Sequence, residues 1–146
     1  MNKEQMTLMN QYVADLAVLN VKFHNMHWNV VGERFEPVHV YLEKMYDDFF
    51  EKYDEVAERM KMKGEFPLAS LASYLEVSSV KELDLRDYQI GEVLAIAKDE
   101  LEKLRKLATD IRNVADEAGD FVTVGMMEDH VEGYDKELWF IESALK

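Results

Sequence analysis

Four side chains of this 146-residue chain have residue types and a spacing that suit a metal ion. Asp54 and Glu58 are four positions apart, so on a helix both carboxylates project from the same face. His27 lies near the end of one predicted helix and His39 near the start of the next, so a short turn brings the two imidazoles together. Imidazole and carboxylate without sulfur suit iron and other first-row divalent ions, and the chain contains no cysteine.

The distance along the second helix determines how such a site is built. His39 and Asp54 are 15 positions apart, which is roughly 22 Å along a helix axis at 1.5 Å per residue. Metal–ligand bonds are only about 2 Å long, so one chain cannot bring its own histidines and its own carboxylates to one ion. Two antiparallel copies can, because each histidine end then meets the other chain's carboxylate end. Such a contact creates two equivalent sites per dimer.

The histidines and carboxylates belong to two predicted long helices. Residues 3–31 contain neither Gly nor Pro, and their apolar residues recur with helical period until Gly32 interrupts them. A second periodic stretch begins near Glu36, with Pro37 in its first turn, where the missing N–H has no helical partner to lose. Gly64 ends this stretch. Both stretches are too long to be strands, so we expect two helices.

A long connection, residues 64–86, is the main indication of topology, and LASLASYLE within it predicts a short helix. About 22 residues can span a helix of about 30 residues, roughly 45 Å, which lets the second and third long helices run parallel. The third helix is predicted from about Asp87 to Ala118, and after Gly119 the side chain of Asp120 is placed to cap the fourth. The prediction is an all-α, ferritin-like four-helix bundle with one long crossover, as a single domain over residues 1–146.

The fourth helix has a predicted apolar face that excludes its histidine. We expect His130 at the surface, since no motif surrounds it. The predicted face comprises Met127, Val131, Tyr134, Leu138, Ile141 and Leu145.

Composition excludes several classes of protein. Apolar residues make up 48% of the chain, which excludes a wholly disordered protein, and 6 Gly with 2 Pro are too few for an all-β fold. No stretch approaches the roughly 20 apolar residues needed to cross a bilayer, and the first residues lack a signal-peptide pattern. We therefore expect a cytoplasmic protein with no membrane attachment.

The charge balance argues against nucleic acid as a partner. The chain has 17 Lys and Arg against 30 Asp and Glu, a formal net charge of −13. A surface this acidic attracts cations and repels phosphates, whereas DNA binding needs clustered basic side chains. Only Lys3 precedes Lys22, so we expect no appreciable DNA binding.

The ligand residues lie in two blocks that resemble the signatures of the Dps miniferritins, the DNA-binding proteins from starved cells. The first block is HWNVVG at residues 27–32, followed by Val38-His39 and Glu43. The second is YDEVAER at residues 53–59, followed by Gly64. Together with the helix layout, the resemblance covers nearly the whole chain.

The resemblance implies a dodecameric shell, built from two-fold dimers, that oxidises iron. His27, His39 and Glu43 of one chain would share a two-iron centre with Asp54 and Glu58 of its mate, all five as metal ligands and all but Glu43 as catalytic residues. Fe(II) and hydrogen peroxide, or O2, are the implied substrates, and the ferric product is stored inside. The alternative is a DNA-compacting protein with secondary iron storage. A ferritin with an intrachain site needs two Glu-x-x-His motifs, and only residues 36–39 fit that spacing.

Other polar and aromatic residues have two interpretations each. His24 is expected either beside the ligands or exposed, rather than as a ligand, and Trp28 is expected as an interface or core anchor. The acidic residues Asp116, Glu117 and Asp120 are either helix-end charges or, as the resemblance implies, the lining of an iron-entry pore.

Overall fold

The structure is a computed structural model that describes residues 1–146. It has five α-helices and two short strands: α1 (Lys3–Asn29), β1 (Val30–Val31), α2 (Phe35–Met62), α3 (Leu71–Val77), β2 (Tyr88–Gln89), α4 (Ile90–Glu117) and α5 (Phe121–Leu145). The prediction of four long helices, with a short helix in the connection between the second and third, is confirmed. No helix combines the length and apolar character that crossing a bilayer requires.

The end of α1 differs from the prediction. The helix stops at Asn29, and Val30–Val31 pair in parallel with Tyr88–Gln89. Local periodicity did not indicate this pairing, because the partner strand is supplied by the far end of the crossover. Gly32 then turns the chain with a φ of 136°, and a Cβ at this position would lie 3.1 Å from the Cδ1 of Ile90. Only glycine fits this turn without strain.

Two compact units make up the chain. One comprises Met1–Met9 and Leu94–Lys146, and the other comprises Asn10–Val93. All five predicted metal ligands lie in the second unit.

In the unit Asn10–Val93, apolar side chains of α1 and α2 are buried as their spacing predicted. Phe23 meets Phe49 edge to face, with ring centroids 4.9 Å apart. Burial of each such side chain contributes about 1.5–3 kcal/mol to the free energy of folding. This burial determines which faces of α1 and α2 point towards the core. The fully buried side chains include Tyr12, Leu16, Leu19, Phe23 and Met26 of α1 and Leu42, Phe49, Val56 and Met60 of α2.

The crossover, residues 63–89, is attached along α1 by polar side chains. Its residues run in the same direction as α1, so successive contacts move along both segments together. In the first half of α1, side-chain oxygens accept from crossover amides: Asn10 Oδ1 from Leu68 at 3.0 Å and Asp15 Oδ1 from Ser79 at 2.8 Å. Further along α1, side-chain nitrogens donate to crossover carbonyls: Lys22 Nζ to Lys81 at 2.6 Å and Asn25 Nδ2 to Leu83 at 3.4 Å. Within the crossover, Ser70 and Ser73 form a capping box that begins α3.

In the other unit, the buried face of α5 differs from the prediction at three positions. Val131 is half-buried and Leu145 is exposed, whereas His130 is only 4% exposed. The expectation that His130 lies at the surface is therefore wrong. Its ring lies edge to face with that of Tyr134, with centroids 6.5 Å apart. The lack of a motif around His130 does not decide its burial, because an imidazole ring can also pack beside an aromatic neighbour.

Candidate metal centre

His27 and His39 form a closely packed pair where α1 ends and α2 begins. Their rings stack with centroids 3.6 Å apart and an interplanar angle of 11°. His27 Nδ1 lies 2.6 Å from the carbonyl oxygen of His39, and His39 Nδ1 lies 2.7 Å from the carbonyl oxygen of His27. The short turn therefore brings the two imidazoles together, as the sequence predicted.

These reciprocal hydrogen bonds determine the tautomer of both rings. A backbone carbonyl only accepts, so each Nδ1 carries the hydrogen and donates it. In the neutral ring the Nε2 then keeps its lone pair, which is the form that binds a metal. The His27 side chain is held firmly, since it is only 6% exposed. In this tautomer, the Nε2 of each imidazole is the nitrogen that could bind a metal.

Aromatic rings surround the histidine pair. Phe35 stacks on the outer side of His39 with centroids 5.0 Å apart, and Tyr46 meets His27 edge-on at 5.2 Å. His24 stacks on Tyr46 at 3.6 Å, and its Nδ1 donates to the Asn20 carbonyl at 2.6 Å. The structure therefore places His24 against Tyr46 and edge to face with His27, with the His24 and His27 ring centroids 6.5 Å apart.

Trp28 projects from the same end of α1. It is 68% exposed, and its ring centroid lies 5.5 Å from that of His24. The core position that was one of its two predicted roles is excluded within a single chain. Its role as an interface anchor stays a prediction.

Glu43 lies one turn after His39 and is exposed. Its Oε1 is 3.4 Å from the hydroxyl of Tyr46, which donates to it. Desolvation first, and then the negative charges of Glu43 and Asp47, raise the pKa of the Tyr46 phenol. Tyr46 thus contacts two predicted ligands, His27 and Glu43, and sequence reasoning missed it. Its spacing, seven residues after His39 and three after Glu43, was the available signal.

Asp54 and Glu58 form the second half of the predicted site. Both are exposed and lie one turn apart on α2. A hydrogen bond with Asp54, then the Asp54 charge and slight desolvation, raise the pKa of the Glu58 carboxyl. Two carboxylates in contact disfavour the doubly ionised state, and a bound cation would relieve that repulsion.

Within one chain the two halves do not meet. The structure brings His27 to His39 and Asp54 to Glu58, but it contains no group of three or more His, Asp or Glu side chains that could hold a metal ion. His39, Asp54 and Glu58 lie on the uninterrupted helix α2, Phe35–Met62, whereas His27 lies near the end of α1. A straight helix keeps them apart.

The predicted pore acids have different environments. Asp120 is 8% exposed and caps α5; its Oδ2 accepts from Gln5 Nε2 and from Thr123 Oγ1, both at 2.7 Å. Asp116 and Glu117 are exposed, and an Arg112 nitrogen lies 3.5 Å from a carboxylate oxygen of Asp116. The prediction that Asp120 caps α5 is confirmed. Its carboxylate accepts hydrogen bonds from residues of its own unit, Gln5 and Thr123.

Comparison with known proteins identifies related chains. Residues 6–146 match the ferritin-like domain family. The chain is 36% identical to antigen TpF1 of Treponema pallidum over 138 residues. This alignment covers 94% of this chain and 78% of that protein. The crystal structure of TpF1 matches with a TM-score of 0.96 at 35% identity, over 98% of this chain and 92% of that one.

Two further relatives are named for DNA protection or as Dps. The DNA protection during starvation protein of Helicobacter pylori is 33% identical over 132 residues, covering 90% of this chain and 92% of that protein. The crystal structure of a Dps protein from Bacillus brevis matches with a TM-score of 0.93 at 33% identity, over 100% of both chains. The predicted ferritin-like fold is confirmed by these matches.

Proposed function

Because this chain belongs to the Dps family of ferritin-like proteins, we propose that it oxidises iron at centres shared between two chains and stores the ferric product. Iron storage and DNA protection are the functions of the family at a general level. The finer proposal concerns where the iron binds, which oxidant it meets and how the chains assemble. The proposed place of action is the cytoplasm.

One observation supports the proposal: the nitrogen donor His39 and the oxygen donors Asp54 and Glu58 lie on one continuous helix, too far apart to bind one ion. His39 and Asp54 are separated by 15 helical residues, or roughly 22 Å. Each half presents only two or three ligands and leaves an ion incompletely coordinated. A second copy of the chain supplies what each half lacks.

An antiparallel, two-fold contact between α2 helices completes the site. His27, His39 and Glu43 of one chain then face Asp54 and Glu58 of the partner subunit. Two-fold symmetry generates two such centres for each dimer. We propose that these dimers assemble further into a hollow dodecamer, with the mineral inside.

The ligand set suits the reaction. Two Fe(II) ions held close together transfer two electrons to one hydrogen peroxide, which takes up two protons and leaves as two water molecules, so no hydroxyl radical is released. The neutral imidazoles bind Fe(II), while the anionic oxygens stabilise the harder Fe(III) product. In this proposal Glu58 would bridge the two ions, Asp54 would hold one of them, and Glu43 would hold the second.

Mixing two defective variants tests the shared centre directly. One chain carries His27→Ala and His39→Ala, and the other carries Asp54→Ala and Glu58→Ala. Alone, neither is expected to oxidise iron. After subunit exchange, each mixed dimer regains one complete centre, so random exchange restores about a quarter of the wild-type centres.

The measurement is anaerobic Fe(II) titration followed by peroxide addition. Wild-type protein is expected to bind about two Fe(II) per centre and to consume one peroxide for every two irons. Light scattering gives the mass of the assembly in the same samples. No rescue in the mixture, when both variants fold and exchange, would contradict a centre built from two chains.

The family name raises DNA binding as the alternative, and charge argues against it here. The net charge of −13 opposes the approach of phosphates. We propose that any protection of DNA follows from removing Fe(II) and peroxide together, because these reactants generate the damaging radicals.

A further inference from the structure

Tyr46 occupies a position that the proposed reaction has not yet used. Its ring meets His27 edge-on and stacks on His24, with centroids 5.2 Å and 3.6 Å away. Its hydroxyl donates to Glu43 Oε1 at 3.4 Å. Asn20 Nδ2 donates to the backbone carbonyl of Tyr46 at 2.9 Å, which holds the residue against α1. A phenol is therefore fixed between a histidine ligand and a carboxylate ligand.

A centre that holds only one ion has an electron too few for peroxide. Hydrogen peroxide needs two electrons to become two water molecules, and one Fe(II) supplies one. Without a second donor, the remaining product is hydroxyl radical. An ion held by Glu43 would depend on an exposed carboxylate. We therefore expect this position to fill last, and singly loaded centres to occur when iron is scarce.

We propose that Tyr46 supplies the missing electron in singly loaded centres, an inference that rests on the proposed function. One Fe(II), the phenol, one peroxide and one proton yield Fe(III), a tyrosyl radical and two water molecules. The O–O bond breaks, and the phenolic proton leaves along the hydrogen bond to Glu43. A second Fe(II) and a proton later return the radical to the phenol, so two irons are still consumed per peroxide.

Tyr53 and Tyr74, also hydrogen-bonded phenols, are less well placed to lose an electron and a proton. The hydroxyls of Tyr53 and Tyr74 lie 2.8 Å apart, and Tyr74 donates to the Leu68 carbonyl at 2.9 Å. Tyr53 must therefore donate to a phenol, which is a weak base, whereas Tyr46 donates to a carboxylate. Tyr53→Phe is consequently a matched control, because it removes a hydrogen-bonded hydroxyl from the same helix.

The test uses the assembled protein, loaded anaerobically with one Fe(II) per centre and then mixed with peroxide. Rapid-freeze electron paramagnetic resonance detects the radical, and a spin trap in parallel samples detects hydroxyl radical. Wild type and Tyr53→Phe are expected to give a tyrosyl signal with little trapped hydroxyl radical. Tyr46→Phe is expected to lose the signal and to release more trapped radical.

Three results would overturn this role for Tyr46. The first is a tyrosyl signal that survives in Tyr46→Phe, and the second is a tryptophan radical instead of a tyrosyl radical in wild type. The third is the absence of any protein radical in a wild type that oxidises its iron normally when loaded with two ions per centre. In each case the shared centre itself would stand. If wild type does not oxidise iron with peroxide even when fully loaded, the proposed function fails and the role of Tyr46 fails with it.

Discussion

The imidazole of His27 donates to the backbone carbonyl of His39, and the imidazole of His39 donates to the backbone carbonyl of His27, at 2.6 and 2.7 Å. This crossed pair fixes the tautomer and rotation of both rings through hydrogen bonds within the chain. The rotamer entropy of both side chains is thus lost on folding, so it would not have to be lost when a metal binds. The same bonds tie the end of α1 to the start of α2.

Removal of one imidazole is expected to weaken metal binding strongly. In His39→Ala the carbonyl that fixes His27 remains, so the remaining ring stays oriented and only one ligand is lost. We expect the affinity for Co(II), a spectroscopic substitute for Fe(II), to fall by at least about tenfold. Anaerobic titration of the Co(II) absorption bands measures this. His24→Ala is the control, and equal losses in both variants would contradict the assignment of His39 as a ligand.

Replacing Glu58 by glutamine is expected to stabilise the metal-free protein at neutral pH. Contact with Asp54 raises the pKa of Glu58 in the folded chain, so the folded state binds this proton more tightly than the unfolded state. The corresponding stability is present at acid pH and is lost as pH rises through the folded-state pKa. Glu58→Gln should therefore raise Tm at neutral pH, and this gain should shrink as pH falls.

Thermal unfolding over a pH series, with and without metal, checks this expectation. Glu51→Gln, an exposed glutamate on the same helix, is the control for removing one negative charge. Metal should raise the Tm of wild type more than that of Glu58→Gln, since only a ligand that binds the native state stabilises it. A gain for Glu58→Gln that does not depend on pH would exclude carboxylate repulsion as its cause.

The helices could be predicted because their signal is local. Leu42, Phe49 and Val56 recur with the helical period and are buried on one face. The ligand pairs were also local, since Asp54 and Glu58 are one turn apart and a short turn separates the two histidines. The separation of His39 from Asp54 follows from the rise of a helix alone.

The features that sequence reasoning missed depend on distant partners. Val30 pairs with Tyr88, and Gln5 donates to Asp120 across 115 positions. The periodicity of one sequence does not predict such pairs, because the residues next to each partner give no sign of a distant contact. His130 was misplaced for the same reason, as only its neighbours reveal that the ring is buried.

Loss of the Asp120 side chain is expected to destabilise the unit that contains it. Asp120→Ala removes the N-cap of α5, worth about 1 kcal/mol, and leaves the buried amide of Gln5 without this acceptor, at about 1–3 kcal/mol. We expect the free energy of unfolding to fall by about 2–4 kcal/mol, measured by urea denaturation.

Glu117→Ala provides the comparison, because Glu117 is an exposed acid of the same junction. Its effect on stability should stay within about 0.5 kcal/mol. If the two variants lose equal stability, the capping role of Asp120 is wrong. Iron uptake that slows in Glu117→Ala without a loss of stability would instead favour the pore interpretation for the exposed acids.

Protection of DNA is expected without binding to it. The net charge of −13 predicts no retardation of plasmid DNA in a gel at physiological salt, and any weak binding at low salt should disappear as salt rises. Wild type should nevertheless prevent nicking of the plasmid by Fe(II) and peroxide, because the proposed shared centre would consume both reactants. The His27→Ala/His39→Ala variant has the same backbone and the same acidic charge but lacks the nitrogen ligands, so it should not protect. Equal protection by this variant would show that the effect comes from shielding of the DNA or from adsorption of iron. Retardation of the plasmid at physiological salt would show that net charge alone does not decide DNA binding in this chain.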